Sequence, residues 1–404
     1  MNTTTGTASE ALRASMVDHI VKAGHARSGP VEEAMRTVPR HRFVPAATVE
    51  DAYADMAVIT KRASDGAALS CASVPLVVGM MLDQLDVRPG DHVLEIGAGT
   101  GYNAALLAHL TAPSGQVTTV DIDAEVTTQA RQALDATGYS QVNVITRDGS
   151  LGAEDHAPYD RIVVTVGAWD LPSAWWNQLA PGGRLVVPLR WRGQTRSVAF
   201  TREGDRLRSD SLELCGFVPM IGQDHGGERT GHIDADGQVA LYWDTDQAVD
   251  LAALRGVLDQ PKTAVWSTVT VGGQEPFDGV WLRLTSTEPG TCRIAAEPGA
   301  IEAKLCTPAI PSRSPALVEG NSLAYFTFRR LDENGVERRS ELGAIGHGPA
   351  GPELADRLCD QIRAWDRDRT TQPVVTAYPA DTPDDQLHGT HAITKRYSRL
   401  TVSY

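Results

Sequence analysis

The stretch "VLEIGAGTGYNAALLA" (residues 93–108) runs from an apolar segment through three glycines into an alanine-rich segment. A strand, glycine turn and helix in that order press backbone N–H groups and a helix N-terminus against a bound ligand. The glycines are Gly97, Gly99 and Gly101, a G-x-G-x-G spacing. A nicotinamide-binding turn carries its third glycine one place later, where this chain has Tyr102. The spacing leans away from NAD, and the surrounding chain has to name the ligand.

Apolar runs alternate with helical ones on both sides of the turn. "HVLEIG" (92–97), "QVTTVDI" (116–122), "VNVITRD" (142–148), "DRIVVTVG" (160–167) and "GRLVVPL" (183–189) read as strands. Helical segments at 102–110 and 124–137, and a short weaker one near 149–155, separate the first four. Such alternation implies βαβ units and a parallel sheet buried on both faces: a doubly wound, Rossmann-like α/β domain ending near residue 222. Ahead of it, residues 8–28 repeat Leu12, Met16, Ile20 and Ala23 at helical spacing, and "PVEEAMRTV" begins a second helix with Pro30 in its first turn. The polar, glycine-rich stretch 223–238 reads as a linker. Residues 239–404 read as an added C-terminal α+β domain. Its strand candidates are "AVWSTVTV", "VWLRLTS", "SLAYFTFRRL", "PVVTAYP" and "RLTVSY", and its one clear helix is "GPELADRLCDQIRAWDRD".

Length and composition bound the function. A chain of 404 residues exceeds the usual single core, so two domains are expected. The formal charge of −14 argues against a general nucleic-acid binder and leaves room for a cationic or peptide ligand. Five scattered cysteines with no C-x-x-C pair suggest neither a disulfide framework nor a zinc site, which predicts no metal and a reducing cytoplasm. No window approaches the roughly 18 apolar residues of a membrane span, and the N-terminus lacks a signal-peptide core.

In an open parallel sheet the ligand sits at the carboxyl ends of the strands. There the successive strands place Glu95 with the glycine turn, then Asp121 with Ile122, then Asp148 with Gly149. Asp121 lies 20 positions past Gly101, where an acid holds a ribose diol. Asp148 can accept from an adenine amino group, and Glu95 can organise the turn or meet an ammonium. Each acid alone also reads as a cap or turn residue. Together, in this order, they resemble the class I S-adenosylmethionine (SAM)-dependent methyltransferases, and "LAPGGRLVVPL" (179–189) is similar to an element before that class's fifth strand. The resemblance implies SAM as cofactor and S-adenosylhomocysteine as product. It assigns the cofactor to Glu95, Gly97, Ala98, Gly99, Gly101, Tyr102, Asp121, Ile122, Asp148 and Gly149.

Residues ahead of the turn narrow the class. "VEEAMRTVPRHRFVPAA" (31–47), "AYADMAVIT" (52–60) and "SCASVPLVVGMMLDQL" (70–85) resemble, in order, three segments of the protein-L-isoaspartate O-methyltransferase family. The likeness covers roughly residues 30–222 and makes 1–222 a SAM-dependent methyltransferase domain that esterifies a carboxylate on a peptide. Where the family has "QTISQP", this chain has Ser70, Cys71, Ala72, Ser73, Val74 and Pro75, so only Ser73 and Pro75 match. The resemblance implies that Ser73 touches the reacting carboxylate as the catalytic residue, with Ser70, Cys71 and Val74 beside it in the substrate pocket. Ser73 also reads as a helix N-cap ahead of Pro75.

The altered pocket, the added domain and the final segment "ITKRYSRLTVSY" (393–404) resemble the larger relatives that tailor ribosomally made peptides, lanthipeptides in particular. That subgroup esterifies an aspartate and leads through a succinimide to isoaspartate; repair of isoaspartyl residues in damaged proteins is the alternative. On either reading the partner is a peptide. The added domain then recognises part of that peptide or mediates dimerisation. His41 reads as structural, and Trp169, Trp175 and Trp176 as a substrate mouth or as core.

Overall fold

Val93, Leu94, Glu95 and Ile96 are all at most 1% exposed. A continuous buried run with no polar alternation belongs to a strand covered on both faces. The computed structural model describes residues 3–223, 227–331 and 339–404. The chain divides into two units, one of Met1–Leu189 with Arg196–Ile221 and one of Arg190–Thr195 with Gly222–Tyr404.

In chain order the first unit holds α1 (Thr3–Lys22), α2 (Gly29–Thr37), α3 (Val49–Tyr53), the hairpin β1 (Val58–Arg62) and β2 (Ala68–Ala72), and α4 (Pro75–Leu85). Then come β3 (His92–Ile96), α5 (Tyr102–Thr111), β4 (Gln116–Asp121), α6 (Ala124–Ala136), β5 (Asn143–Thr146), β6 (Tyr159–Val164) and α7 (Ser173–Gln178). It ends with β7 (Leu179–Trp191) and β8 (Gln194–Glu203), of which residues 190–191 and 194–195 count with the second unit, and β9 (Arg206–Leu214). Its main sheet runs β5-β4-β3-β6-β7-β8-β9. β3 pairs in parallel with β4 and β6, β4 with β5, and β6 with β7, whereas β8 and β9 are antiparallel. This is the Rossmann-like class I methyltransferase architecture. The core beside the sheet joins Met16, Val17 and Ile20 of α1 to Leu82 and Leu85 of α4 and Leu106 and Leu107 of α5.

Two helix expectations are corrected. α1 stops at Lys22 rather than 28, because Gly24 enters the left-handed region at φ +92 and the N–H groups of Gly24 and His25 turn back to Val21 O and Ile20 O. The weak helix near 149–155 is two 3-10 turns, Gly149–Leu151 and Glu154–His156, parted by Gly152 at φ +58.

The second unit has an antiparallel seven-stranded sheet. The long helix Gly351–Asp366 packs against it, burying Leu354, Leu358 and Ile362 with Leu342 and Phe326. Two of its segments depart from the sequence reading. Within the stretch read as a linker, Glu228–His232 is a strand paired with Val239–Asp244, and the Asp234 carboxylate closes the intervening turn by accepting from the N–H groups of Gln238 and Val239. Residues 224–226 of that stretch lie outside the described residues. "VWLRLTS" is the helix Gly279–Thr287 rather than a strand: Val280 and Leu284, four apart on one face, enter the same core as Trp365.

Candidate active site

After β3 the chain builds outward through β4 to β5, then returns across the sheet to β6 on the other side of β3. That reversal between β3 and β6 is the switch point at which open α/β sheets hold ligands. Gly97, Gly99 and Gly101 lie there at φ +101, +51 and +82, conformations that only glycine adopts without strain. Gly97 is tight as well, since a Cβ would fall 2.6 Å from Thr165 Oγ1. The turn is pinned from both flanks. Gly97 and Ala98 donate to Val120 O at 2.8 and 3.1 Å, and Thr165 Oγ1 donates to Gly97 O at 2.7 Å.

Beside the turn opens a narrow cleft whose enclosed space is about 70 Å³. Its lining brings together Glu95, Gly97, Ala98, Gly99, Tyr102 and Asp121 from the expected cofactor set, and Ser70, Cys71 and Ser73 from the expected substrate set. Glu95 is completely buried. Thr119 Oγ1 donates to its Oε2 at 2.6 Å and Asn103 Nδ2 to its Oε1 at 2.8 Å. Burial still pushes its pKa up to about 7, against those two bonds, with Asp121 adding to the rise. Asp121 accepts from the N–H groups of Gly99 (3.2 Å) and Asp123 (3.1 Å), and burial raises its pKa too. Two acids made costly by burial suit a cationic ligand, because a nearby positive charge restores their ionised forms.

The acceptor segment forms the facing wall. Ser70 accepts from Thr60 Oγ1 across the β1–β2 hairpin at 3.2 Å. Burial raises the Cys71 thiol pKa, and nearby Arg40 and Ser73 act against that rise. The N-cap of α4 is Val74 without a side-chain bond, so Ser73 does not cap that helix. A second depression, lined by Ile59, Lys61 and Gln129, shares Ser70, Gly99 and Thr100 with the cleft.

Other expected residues lie apart from this lining. Ile122 is 46% exposed beyond the end of β4. Asp148 caps the 3-10 turn by accepting from Ser150 N, and Gly149 is buried where a Cβ would lie 2.6 Å from Ile96 Cγ2. Val74 stands at the head of α4, outside the lining. Trp175 donates to Gly149 O and Trp176 to Leu171 O; both are buried in the fold, the core alternative of the two readings. Trp169 is half-buried and also outside the lining. His41 meets Tyr53 Oη at 2.8 Å, a structural contact.

Residues missed in the sequence complete the cleft. Asn103 and Thr119 orient Glu95; Thr119 does so because β3 and β4 pair with Glu95 and Thr119 in register, which spacing along the chain does not record. Phe217 and Val218 reach the lining because Gly167 pairs with Pro219, a long-range contact with no sequence signature. Among the described residues no group of three His, Cys, Asp or Glu side chains is placed to hold a metal. No described helix is long and apolar enough to cross a membrane.

The family model for protein-L-isoaspartate(D-aspartate) O-methyltransferase matches residues 11–225. A protein-L-isoaspartate O-methyltransferase of Methanopyrus kandleri is 41% identical over 215 residues, 52% of this chain and 92% of that protein. One of Koribacter versatilis is 40% identical over 210 residues, 52% of this chain and 90% of that protein. A solved protein-L-isoaspartate O-methyltransferase structure matches in fold with a TM-score of 0.51 at 18% identity, covering 97% of this chain and 100% of that one. The chain belongs to the protein-L-isoaspartate O-methyltransferase family of class I SAM-dependent methyltransferases, by a match over residues 11–225 that leaves residues 226–404 outside it.

Proposed function

We propose that the protein esterifies a free carboxylate on a peptide chain, with an isoaspartyl residue as acceptor. The carrying observation is the shared cleft: Ser70, Cys71 and Ser73 face the same space as Glu95, Asp121 and the glycine turn. The relatives carry isoaspartate in their names, which favours that acceptor. When bound, SAM supplies a methyl group activated by a sulfonium cation. Glu95, the glycine turn and Asp121 would hold it, a donor set suited to a cation and a ribose diol.

The acceptor is already ionised at neutral pH, so the chain needs no general base. Its residues have to align the carboxylate and exclude water, which supplies on the order of 7–11 kcal/mol of a barrier. Ser73 Oγ would hold one carboxylate oxygen and leave the other free to react. The adjoining depression gives flanking peptide residues a path away from Ser70.

A second reading has its own support. Cys71 lines the cleft where the family carries threonine, and the acceptor segment keeps only Ser73 and Pro75 of the family pattern. That change favours an aspartyl acceptor, as in tailoring of a ribosomal peptide such as a lanthipeptide, with the second unit recognising the rest of the peptide. Five free cysteines fit action in the reducing cytoplasm.

Paired peptides differing only as Asp-Gly or isoAsp-Gly decide between the readings when incubated with enzyme and SAM. Base-labile ester on the isoaspartyl peptide alone supports the first reading. Ester, or loss of one water, on the aspartyl peptide alone supports the second.

A further inference from the structure

Arg40 belongs to the "VPRHRFVP" segment, whose chemistry the cleft does not otherwise use. Its side chain is 0% exposed. Nε donates to Ala52 O at 2.8 Å, and Nη2 donates to Ala72 O at 3.3 Å and Ser73 O at 2.8 Å. Nη1 is buried with no hydrogen-bond partner among the described residues. The guanidinium lies 5.1 Å from the ring centre of Tyr102, a cleft residue whose Oη is likewise buried and unpartnered. The one carboxylate whose charge reaches Arg40 is Asp55, which acts weakly and makes its own contacts with His19 and Leu76 N; no ion pair within 4 Å joins Arg40 to a carboxylate among the described residues.

A guanidinium out of water without a counter-anion is costly, and proteins pair or hydrogen-bond such groups. Here the charge sits directly behind the segment that carries Cys71 and Ser73, and the reaction brings an anion to that segment's other side. The tether also orients the backbone. A trans peptide unit points its N–H opposite to its C=O, so holding Ala72 O and Ser73 O on Arg40 turns the N–H groups of Ser73 and Val74 away from it. Drawing electron density toward the cation strengthens those donors.

We propose that Arg40 is the buried counter-charge of the acceptor carboxylate: a positioning residue that acts through the Ala72–Ser73 backbone and makes the pocket select an anion over its neutral isostere. The inference rests on the carboxyl-methylation reading above. Burial works against the charge on Arg40, but a guanidinium keeps its proton at any working pH, so the selection persists across the neutral range.

The test uses the full-length protein with S-adenosylhomocysteine, so that peptides bind without turnover. Affinities are measured for whichever of the Asp-Gly and isoAsp-Gly peptides is a substrate, and for its carboxamide counterpart. Wild type is expected to favour the acid by about tenfold or more. Arg40→Met is expected to lose most of that ratio while S-adenosylhomocysteine affinity stays within about threefold, and Arg40→Lys to restore part of it. Equal weakening of acid and amide by Arg40→Met, with their ratio kept, would reduce Arg40 to a scaffold and overturn the inference. Should Arg40→Met fail to fold, the wild-type ratio still decides: acid and amide bound equally overturn it. A wild-type protein that methylates neither acid peptide overturns both this inference and the proposed function.

Discussion

Glu95 and Thr119 face each other in register on adjacent parallel strands, and Thr119 Oγ1 donates to Glu95 Oε2 at 2.6 Å. The bond holds a fully buried carboxyl that borders the cleft, with a pKa near 7. A bound sulfonium or ammonium favours the ionised form and lowers that pKa, so binding SAM releases a proton from the part of the population in which Glu95 is protonated. The dissociation constant for SAM is therefore expected to be flat above about pH 8. It should weaken by up to about tenfold per pH unit below pH 7, until the bound-state pKa is reached. Calorimetry in buffers of different ionisation enthalpy reads the released proton directly, and Glu95→Gln should abolish it.

The same residue sets a stability trend. The folded-state pKa of about 7 lies above the ordinary 4.5, so ionisation is disfavoured in the fold. Stability from this group is complete below pH 4.5 and is lost as pH rises through 7, by roughly 3 kcal/mol in full. In the absence of SAM, Glu95→Gln should be more stable than wild type at pH 8 and nearly equal to it at pH 5. Urea unfolding at the two values checks the sign.

Ser73→Ala removes one hydroxyl from the acceptor wall and leaves the turn and both cleft acids intact. A hydrogen bond to a charged partner contributes about 1.5–3 kcal/mol. Turnover of the substrate peptide, as kcat/KM, is expected to fall on the order of 10- to 100-fold, with SAM affinity within about threefold. A loss of SAM affinity equal to the loss of turnover would count against the role.

Trp175 is 1% exposed and donates through Nε1 to Gly149 O at 2.9 Å. Trp175→Phe leaves that carbonyl without its donor and should cost about 1–3 kcal/mol of stability. Peptide KM should be unchanged at temperatures well below the transition. A raised KM without lost stability would return Trp175 to the substrate mouth.

The parallel strands were legible because burial on both faces favours β-branched and apolar residues with no exposed alternation, as in Val93–Ile96 and Val117–Val120, where Glu95, Thr118 and Thr119 are buried with their apolar neighbours. The glycine turn was legible because positive φ at Gly97, Gly99 and Gly101 leaves glycine as the unstrained choice. Strand-end acids were visible for the same local reason: Glu95 and Asp121 sit at the ends of β3 and β4 by position alone. Where local pattern and packing disagree, packing decides. "VWLRLTS" alternates like a strand, yet Val280 and Leu284 find their core as a helix.

Sequence alone therefore marked the parallel strands, the turn and the strand-end acids of the cofactor side, each encoded within a few neighbouring residues, but not the antiparallel β8 and β9 that extend the sheet. Tertiary structure alone decided which of those residues share a cleft. It brought Phe217 and Val218 to the lining through the pairing of Gly167 with Pro219, placed the tryptophans in the core and set Arg40 behind Ser73. These are contacts between positions tens of residues apart. They arise from what each side chain meets when the layers close, and no spacing along the chain records that.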